Sequence, residues 1–192
     1  MPGIRSRFNR VRMEAQLKVP VMSARRTPPE GTIASRRFLR ACEARTADLF
    51  AYWDRVRDGR RMPRRANINP MDIAQQLPNV LLIDVTSGPA GLVYRLIGTH
   101  VRALRGGNDP TGLPVADEGF GQPRENVVEN YRFVSETGSF LYDPRPYRSS
   151  RGLVCLGETL FLPMSEDGEV VTQILAYAHR GPWQSPSADG AA

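Results

Sequence analysis

The sequence predicts an α+β fold in which five antiparallel strands form one sheet, with helices on one face and a flanking helix before the first strand. Three observations support this prediction. Helical apolar spacing marks residues 34–58, two β-branched apolar segments meet at a turn cluster over residues 87–91, and three further segments of this kind follow residue 138. Two antiparallel units joined by helices favour a single antiparallel sheet.

The flanking helix is predicted over residues 34–58. Apolar side chains recur there about every 3.6 residues, arginines fill the other positions, and Gly59 provides a stop. The apolar stripe consists of Phe38, Cys42, Leu49, Trp53 and Val56. A short helix is predicted next, with Asn69 as its cap and Pro70 at its first position.

Five strands are predicted where apolar and β-branched residues are bounded by turn residues. They span residues 79–86, 92–98, 139–147, 153–164 and 169–180. Two helices are predicted between the second and the third strand. Thr99 caps a short one that runs to Leu104, and Pro123 opens a longer one that runs to Glu136 and carries Tyr131 on its apolar face.

Length and charge predict one domain with appendages. The chain has 192 residues, of which 41% are hydrophobic, so it can bury a core. Residues 1–65 hold 17 of the 26 Lys and Arg but only 6 of the 20 Asp and Glu. Four segments are predicted: a basic, disordered segment 1–31, a flanking helix 32–60, a globular domain 61–181 and a disordered tail 182–192.

Targeting and metal-binding signals are missing from the sequence. No run of about 18 apolar residues is present to span a membrane, and no apolar segment of a secretory signal follows the basic N-terminus. A cytoplasmic location without membrane contact is therefore expected. Cys42 and Cys155 have no Cys or His at the spacing of metal ligands, so we expect reduced thiols and no metal.

An ordered series of short motifs runs through the chain. It consists of Tyr52-Trp53, Pro63-x-Arg65, Asn69-Pro70, Leu77-Pro78, Leu82-x-Asp84, Tyr94-Arg95-Leu96-x-Gly98-Thr99, a glycine pair ending at Gly112, and Glu158-x-Leu160-x-Leu162-Pro163-Met164. In this order the motifs resemble a family of small alphaproteobacterial PAS proteins over residues 45–180. The resemblance implies a PAS fold with strand order 2-1-5-4-3. It also implies a sensory or interaction module, usually without a known ligand.

The loop GGNDPTG over residues 106–112 departs from that family, whose usual segment is Gly-Arg-Asp-x-Thr-Gly. A glycine-rich loop of this kind raises the question of phosphate binding. The loop lacks the Gly-Lys-Ser/Thr ending of a phosphate-binding loop and no long helix follows it directly, so a flexible turn is the favoured interpretation.

The candidate residues for a ligand cavity are Arg95, His100, Tyr131, Cys155 and Glu158. Glu158 is the strongest polar candidate, because strand alternation places it on an apolar face, where a carboxylate needs a partner or a raised pKa. Two interpretations of Glu158 stay open. It either recognises a ligand, or it forms a structural ion pair or hydrogen bond.

Cofactor and catalytic chemistry are both disfavoured by the sequence, and the cofactor stays unknown. One histidine without a supporting pocket pattern argues against haem, and Cys155 lacks the Asn-Cys-Arg-Phe context of flavin photosensors. A nucleophilic pair of His100 or His179 with Cys155 would have no third residue to orient it. We therefore expect no enzyme activity.

Tyr52, Trp53 and Arg65 leave two interpretations of the flanking helix open. The helix is either a dimerisation or signalling element, as the resemblance implies, or it packs across the sheet. In the second case Trp53 enters the core and Arg65 pairs with a carboxylate.

The leading functional hypothesis is a non-catalytic sensory or adaptor module of bacterial signal transduction. It would contact a signalling protein through the sheet or the flanking helix, and a homodimer is one form of this contact. Its cavity would hold a small ligand or nothing. One alternative is a nucleic-acid-associated regulator that uses the arginine-rich residues 1–65. Another is a small enzyme in which His100, Cys155 or Glu158 converge in the cavity.

Overall fold

The computed structural model describes residues 26–87, 91–117, 123–148 and 154–184. The predicted disordered segments 1–31 and 182–192 lie largely outside these residues. The helices and strands of the described part are α1 Ala44–Val56, β1 Val80–Val85, β2 Leu92–Ile97, α2 Thr99–Leu104, α3 Arg124–Thr137, β3 Leu141–Asp143, β4 Tyr147–Arg148, β5 Val154–Met164 and β6 Gln173–Gln184.

The described strands form one antiparallel sheet in the order β2-β1-β6-β5-β3, and β4 also pairs with β5. This confirms the predicted order 2-1-5-4-3, because β3 and β4 together correspond to the third predicted strand. That strand is split where Pro144 and Pro146 supply no backbone N–H. Between the prolines, the N–H of Arg145 donates to the Asp143 carboxylate at 3.0 Å instead of to a neighbouring strand.

The last strand begins at Gln173 rather than at Glu169, and it runs to Gln184. The turn before it is longer than predicted because a carboxylate organises it. Asp167 Oδ1 accepts from the backbone N–H groups of Glu169 and Val170, each at 3.0 Å. Residues 169–172 therefore belong to the turn, and β6 enters the segment that was predicted as a tail.

Side-chain alternation gives the sheet two apolar faces, and different elements cover them. One face packs against α2 and α3 through Leu81, Ile83, Tyr94, Val101, Tyr131, Val134, Leu141, Phe161, Ile174 and Ala176. The other face packs against residues 33–57, here called the N-terminal layer, through Phe38, Leu49, Phe50, Trp53, Tyr142, Leu160, Leu162, Leu175 and Tyr177. The sheet is therefore buried on both sides.

The N-terminal layer differs from the single helix predicted over residues 34–58. It consists of a 3₁₀ segment Arg36–Arg40 and the helix α1, with Glu43 extended between them at φ −65° and ψ 150°. The helix is interrupted because the N–H of Glu43 donates to the carboxylate of Glu158, at 3.1 and 3.3 Å to its two oxygens. Because this N–H donates to a side chain, it does not form the helical hydrogen bond to the carbonyl one turn earlier in the chain.

Aromatic side chains attach the N-terminal layer to the sheet. Trp53 is 3% exposed and its indole N–H donates to the carbonyl of Pro163 at 3.0 Å. The ring of Phe38 stacks on that of Tyr142, with centroids 4.9 Å apart, and meets Phe50 edge-on at 5.1 Å. The flanking helix thus packs across the sheet through Trp53, which was the second interpretation of its sequence.

Gly98 fixes the junction between β2 and α2. A Cβ at this position would lie 2.4 Å from the carbonyl oxygen of Leu77 and 2.5 Å from that of Pro78. Any larger residue at this position would clash with these two carbonyls, so the Gly98-Thr99 motif requires glycine here. The approach sets where α2 starts and so positions the helices above the sheet.

We predict that Trp53→Ala lowers the free energy of unfolding by about 3–5 kcal/mol, because it removes a buried ring and leaves a cavity. Trp53→Phe should lose about 1–3 kcal/mol, since the Pro163 carbonyl loses its buried donor. Urea denaturation followed by circular dichroism measures both changes. The control is Met71→Ala, at a side chain that is 79% exposed, with an effect within about 0.5 kcal/mol. Equal effects of the three variants would contradict the docking of the layer through Trp53.

Candidate functional site

A cavity of about 70 Å³ lies between the sheet and the helices α2 and α3; we call it the sheet–helix cavity. Its sheet side consists of Leu81, Tyr94, Asp143, Thr159, Phe161, Ala178 and Arg180. Its helix side consists of Val101, Leu104, Arg105, Val127, Asn130 and Tyr131. Sites for drug-sized ligands measure about 300–1,000 Å³, so this cavity is suited to a much smaller molecule.

One group of polar residues in the cavity wall is internally paired. Asp143 is 1% exposed, and its carboxylate accepts from Asn130 at 2.7 Å. The guanidinium of Arg145 binds the same carboxylate through two nitrogens, at 2.8 and 2.7 Å. The Asp143 carboxylate raises the pKa of Arg145, and burial opposes this effect. The negative charge of Asp143 is therefore matched inside the protein.

A second group in the wall combines two arginines with two tyrosines. The Arg105 guanidinium lies 5.7 Å from the centre of the Tyr94 ring, and Arg180 donates to the carbonyls of Glu158 and His179 at 3.1 and 2.8 Å. These contacts hold both guanidinium groups in place.

Tyr131 is the second tyrosine of this group. It is 3% exposed, and the described residues give its hydroxyl no hydrogen bond. Burial raises the pKa of Tyr131 well above its ordinary value and Tyr94 adds to the effect, while the charges of Arg105 and Arg180 oppose it. The hydroxyl is therefore a neutral donor at physiological pH.

Of the five predicted cavity residues, Tyr131 lines the cavity. Arg95 lies outside it, with a side chain that is 67% exposed and a guanidinium 4.0 Å from Asp84. His100 is exposed on α2. Cys155 is fully buried in β5, but its thiol donates to the carbonyl of Gly181 at 3.0 Å and it is not among the lining residues.

Glu158 lies on the face of the sheet opposite the cavity, under the N-terminal layer. It is 5% exposed, and besides the N–H of Glu43 it accepts from the hydroxyl of Tyr142 at 2.6 Å. The sequence had placed it in the cavity. Alternation did assign Glu158 to the face of Leu160 and Leu162, but that face is covered by α1 and not by α2 and α3. Glu158 therefore lies outside the cavity and forms hydrogen bonds within the fold.

Tyr52 and Arg65 lie where the N-terminal layer returns towards the sheet. The Tyr52 hydroxyl accepts from the N–H of Asn69 at 2.8 Å. The Arg65 guanidinium donates to the carbonyl of Ile68 at 3.1 Å, while its backbone N–H lies 3.4 Å from the Glu166 carboxylate. The expected pairing of the Arg65 side chain with a carboxylate is thus replaced by a contact to a carbonyl.

Sequence reasoning missed six polar residues of the cavity: Tyr94, Arg105, Asn130, Asp143, Thr159 and Arg180. A signal existed for Asn130, which follows Val127 by three residues and so lies on the same side of α3. Arg105 follows the last residue of α2, and nothing in the sequence separates it from the many other arginines. In the described ranges, no three His, Cys, Asp or Glu lie close enough to hold a metal ion, and no helix is long and apolar enough to cross a membrane.

Comparison with known proteins places these features in a family. A family model described as PAS domain matches residues 42–176, which cover α1 and most of the sheet. No match was found among curated proteins. A solved RNA-binding light-oxygen-voltage receptor is similar, with 16% sequence identity and a TM-score of 0.42. That similarity covers 62% of this chain and 36% of the receptor chain, so this protein spans about a third of the receptor's length.

We predict that Glu158→Gln lowers the free energy of unfolding by about 1.5–3 kcal/mol, because it removes a charged acceptor from the buried Tyr142 hydroxyl and the part-buried N–H of Glu43. Tyr142→Phe should lower it by about 1 kcal/mol, and the double variant should lose less than the sum. Urea denaturation measures all three proteins. Glu169→Gln, at an exposed turn residue, is the control. Fully additive losses would show that Glu158 and Tyr142 do not interact.

We predict that stability falls as the pH rises above about 10, the ordinary pKa of tyrosine. The pKa of native Tyr131 is raised, so the unfolded chain releases this proton first and unfolding becomes more favourable with pH. Below about pH 10 the contribution of Tyr131 is fully present. Tyr131→Phe should therefore lose stability less steeply between about pH 10 and 11 in urea denaturation. The same slope in both proteins would contradict the prediction.

Proposed function

The chain belongs to the PAS domain family, and we propose that it acts as a non-catalytic sensory or adaptor module in bacterial signal transduction. In this proposal the sheet–helix cavity receives a small ligand, and the N-terminal layer contacts a signalling protein. The two sites lie on opposite faces of one sheet. A signal would therefore cross the sheet from the cavity to the layer.

One observation carries this proposal: neighbouring residues of β5 contact the two sites in turn. Thr159 lines the cavity, while Glu158 next to it accepts from the N–H of Glu43 at the start of α1. Arg180 of the cavity wall donates to the Glu158 carbonyl at 3.1 Å. A shift of Arg180 or Thr159 would thus act on the residue that anchors α1.

The outer side of α1 supports contact with a partner. Its inner side is buried through Leu49, Phe50 and Trp53, whereas Ala51 and Arg55 are exposed to solvent. The helix is held in a defined orientation by its inner side, so its outer side is a preorganised surface. Such a surface suits a protein partner, which includes a second copy of this chain.

The candidate catalytic residues lie in different parts of the fold, which supports a non-catalytic role. His100 is exposed on α2, and Cys155 is buried with its thiol on the Gly181 carbonyl. Glu158 lies under the N-terminal layer and is held by Tyr142. A catalytic group of these three residues would require them to converge on one reacting atom.

A nucleic-acid partner is favoured by a different observation. Exposed arginines occur along the N-terminal layer and just after it, at Arg37, Arg40, Arg45, Arg55, Arg60, Arg61 and Arg64. Clustered guanidinium groups attract phosphates. Several acidic side chains share this surface, among them Asp48 and Asp58, which weakens the field and leaves the protein partner as the first proposal.

Site-specific photocrosslinking in the native cells tests the proposal. A photoreactive p-benzoylphenylalanine is placed at Ala51 on the outer side of α1, and in the control at Ala103 on α2; both alanines are exposed and lie on opposite sides of the sheet. We expect one defined protein adduct from Ala51, identified by mass spectrometry, and none of that mass from Ala103. An adduct with a second copy of the chain would identify the partner as a homodimer.

Three results would overturn the proposed role of the layer. The first is the lack of any adduct at Ala51, and the second is the same adduct at Ala51 and Ala103. The third is an adduct at Ala51 that nuclease digestion removes, which would favour the nucleic-acid regulator instead. Each result is read by gel electrophoresis before and after digestion.

A further inference from the structure

The segment just before the N-terminal layer, residues 26–32, passes along the β3 edge of the sheet; we call it the N-terminal strap. It leads into Ile33, which exchanges two backbone hydrogen bonds with Tyr142 of β3, at 2.8 and 2.9 Å. Just before Ile33, the hydroxyl of Thr32 donates to the carbonyl of Pro29 at 2.6 Å and closes a turn. The β3 end of the strap is therefore fixed by backbone contacts.

The other end of the strap binds α3 through one side chain. The Arg26 guanidinium pairs with the carboxylates of Glu129 and Glu136, which lie about two turns apart on this helix. All three side chains are partly exposed, at 26%, 38% and 47%. Salt weakens ion pairs of this kind, because mobile ions screen exposed charges. The contact with α3 is therefore the reversible end of the strap.

The helix that Arg26 binds forms part of the wall of the sheet–helix cavity. Val127, Asn130 and Tyr131 of α3 line the cavity, and Glu129 directly precedes Asn130 in the chain. A guanidinium that bridges two turns of a helix from its exposed side restrains outward movement of that helix. Loss of the bridge would let α3 move away from the sheet and admit solvent or a ligand.

The two halves of α3 are not packed equally well. Phe133 and Val134 are 2% and 0% exposed, whereas Val127 and Val128 are only partly buried. The strap makes its first contact at Glu129, where the well-buried part of the helix begins. It therefore supports the half of α3 that has the weaker packing and that reaches the cavity through Val127.

We propose that the N-terminal strap is a latch on the sheet–helix cavity. While Arg26 binds Glu129 and Glu136, α3 is held against the sheet and access to the cavity is restricted; release of Arg26 lets α3 move and widens the access. The inference rests on the proposed function, in which this cavity is the ligand site, and adds how access to that site is controlled. Because the strap continues into the N-terminal layer at Ile33, the latch also joins the cavity wall to the layer along the chain.

Thiol labelling of a cysteine placed in the cavity wall tests the proposal on the full chain. Thr159→Cys is made in a Cys42→Ser background, and its reaction with methyl methanethiosulfonate is followed by mass spectrometry at low salt. Arg26→Gln should raise the labelling rate about threefold or more, because the cavity opens more often. Arg132→Gln is the matched control, with a change below about twofold. Arg132 also pairs with Glu129, at 3.9 Å, but it does so within α3.

Salt gives a second readout of the same contact. Raising sodium chloride from about 0.02 M to about 0.5 M should speed labelling of the parent protein, because it screens the Arg26 ion pairs. The Arg26→Gln variant has already lost these pairs, so its labelling rate should change little. Cys155 is fully buried and is not among the lining residues, so its labelling reports unfolding of the whole domain.

The latch is contradicted by any of the other outcomes. Equal rates with and without Arg26→Gln, including no reaction in either protein, would show that Arg26 does not restrain α3. A comparable increase with Arg132→Gln, or a salt effect that persists in Arg26→Gln, would assign the change to the charge balance of α3. Labelling of Cys155 in step with the introduced thiol would show that the whole fold opens. No signalling partner takes part in these measurements, so the crosslinking pattern at Ala51 judges the proposed function separately.

Discussion

The alternation of side chains along β5 is the constraint on which the rest of this structure depends. Thr159 and Phe161 point to the cavity side of the sheet, while Glu158, Leu160 and Leu162 point to the other side. A strand with apolar side chains on both faces has to be covered on both faces, because exposing either would leave a large apolar surface in water. The helices α2 and α3 cover one face, and the N-terminal layer is required for the other.

The buried carboxylate of Glu158 fixes the position of the N-terminal layer on the sheet. A carboxylate at 5% exposure is costly without donors, and its donors come from Tyr142 of β3 and from Glu43 at the start of α1. The start of a helix also carries a partial positive charge, which favours an anion there. Apolar packing alone would allow α1 to slide on the sheet. The hydrogen bond to Glu43 fixes where the helix begins, so the layer is an integral part of the fold.

The sheet order and the cap at Asn69 could be predicted, because strand alternation, turn residues and capping are local signals. Asn69 does accept from the N–H of Met71, at 3.1 Å. The place of Glu158 could not be predicted in the same way. Alternation tells which residues share a face, but it does not tell which helix covers that face, since this depends on contacts between residues more than 100 positions apart. Arg105 and Arg180 were missed for the same reason, because only the folded chain places them together in the wall of the cavity.

The short distance between the two sites limits how a signal can pass. The sheet is one strand layer thick, and Arg180 reaches from the cavity wall to the carbonyl of the residue whose carboxylate anchors α1. A ligand that draws the Arg180 guanidinium into the cavity would compete with that carbonyl for the same donor. Loss of that bond would remove one contact from the carbonyl of Glu158, whose backbone stays paired with β6. The response would therefore be a change in how firmly α1 is anchored, and it would not require the layer to leave the sheet.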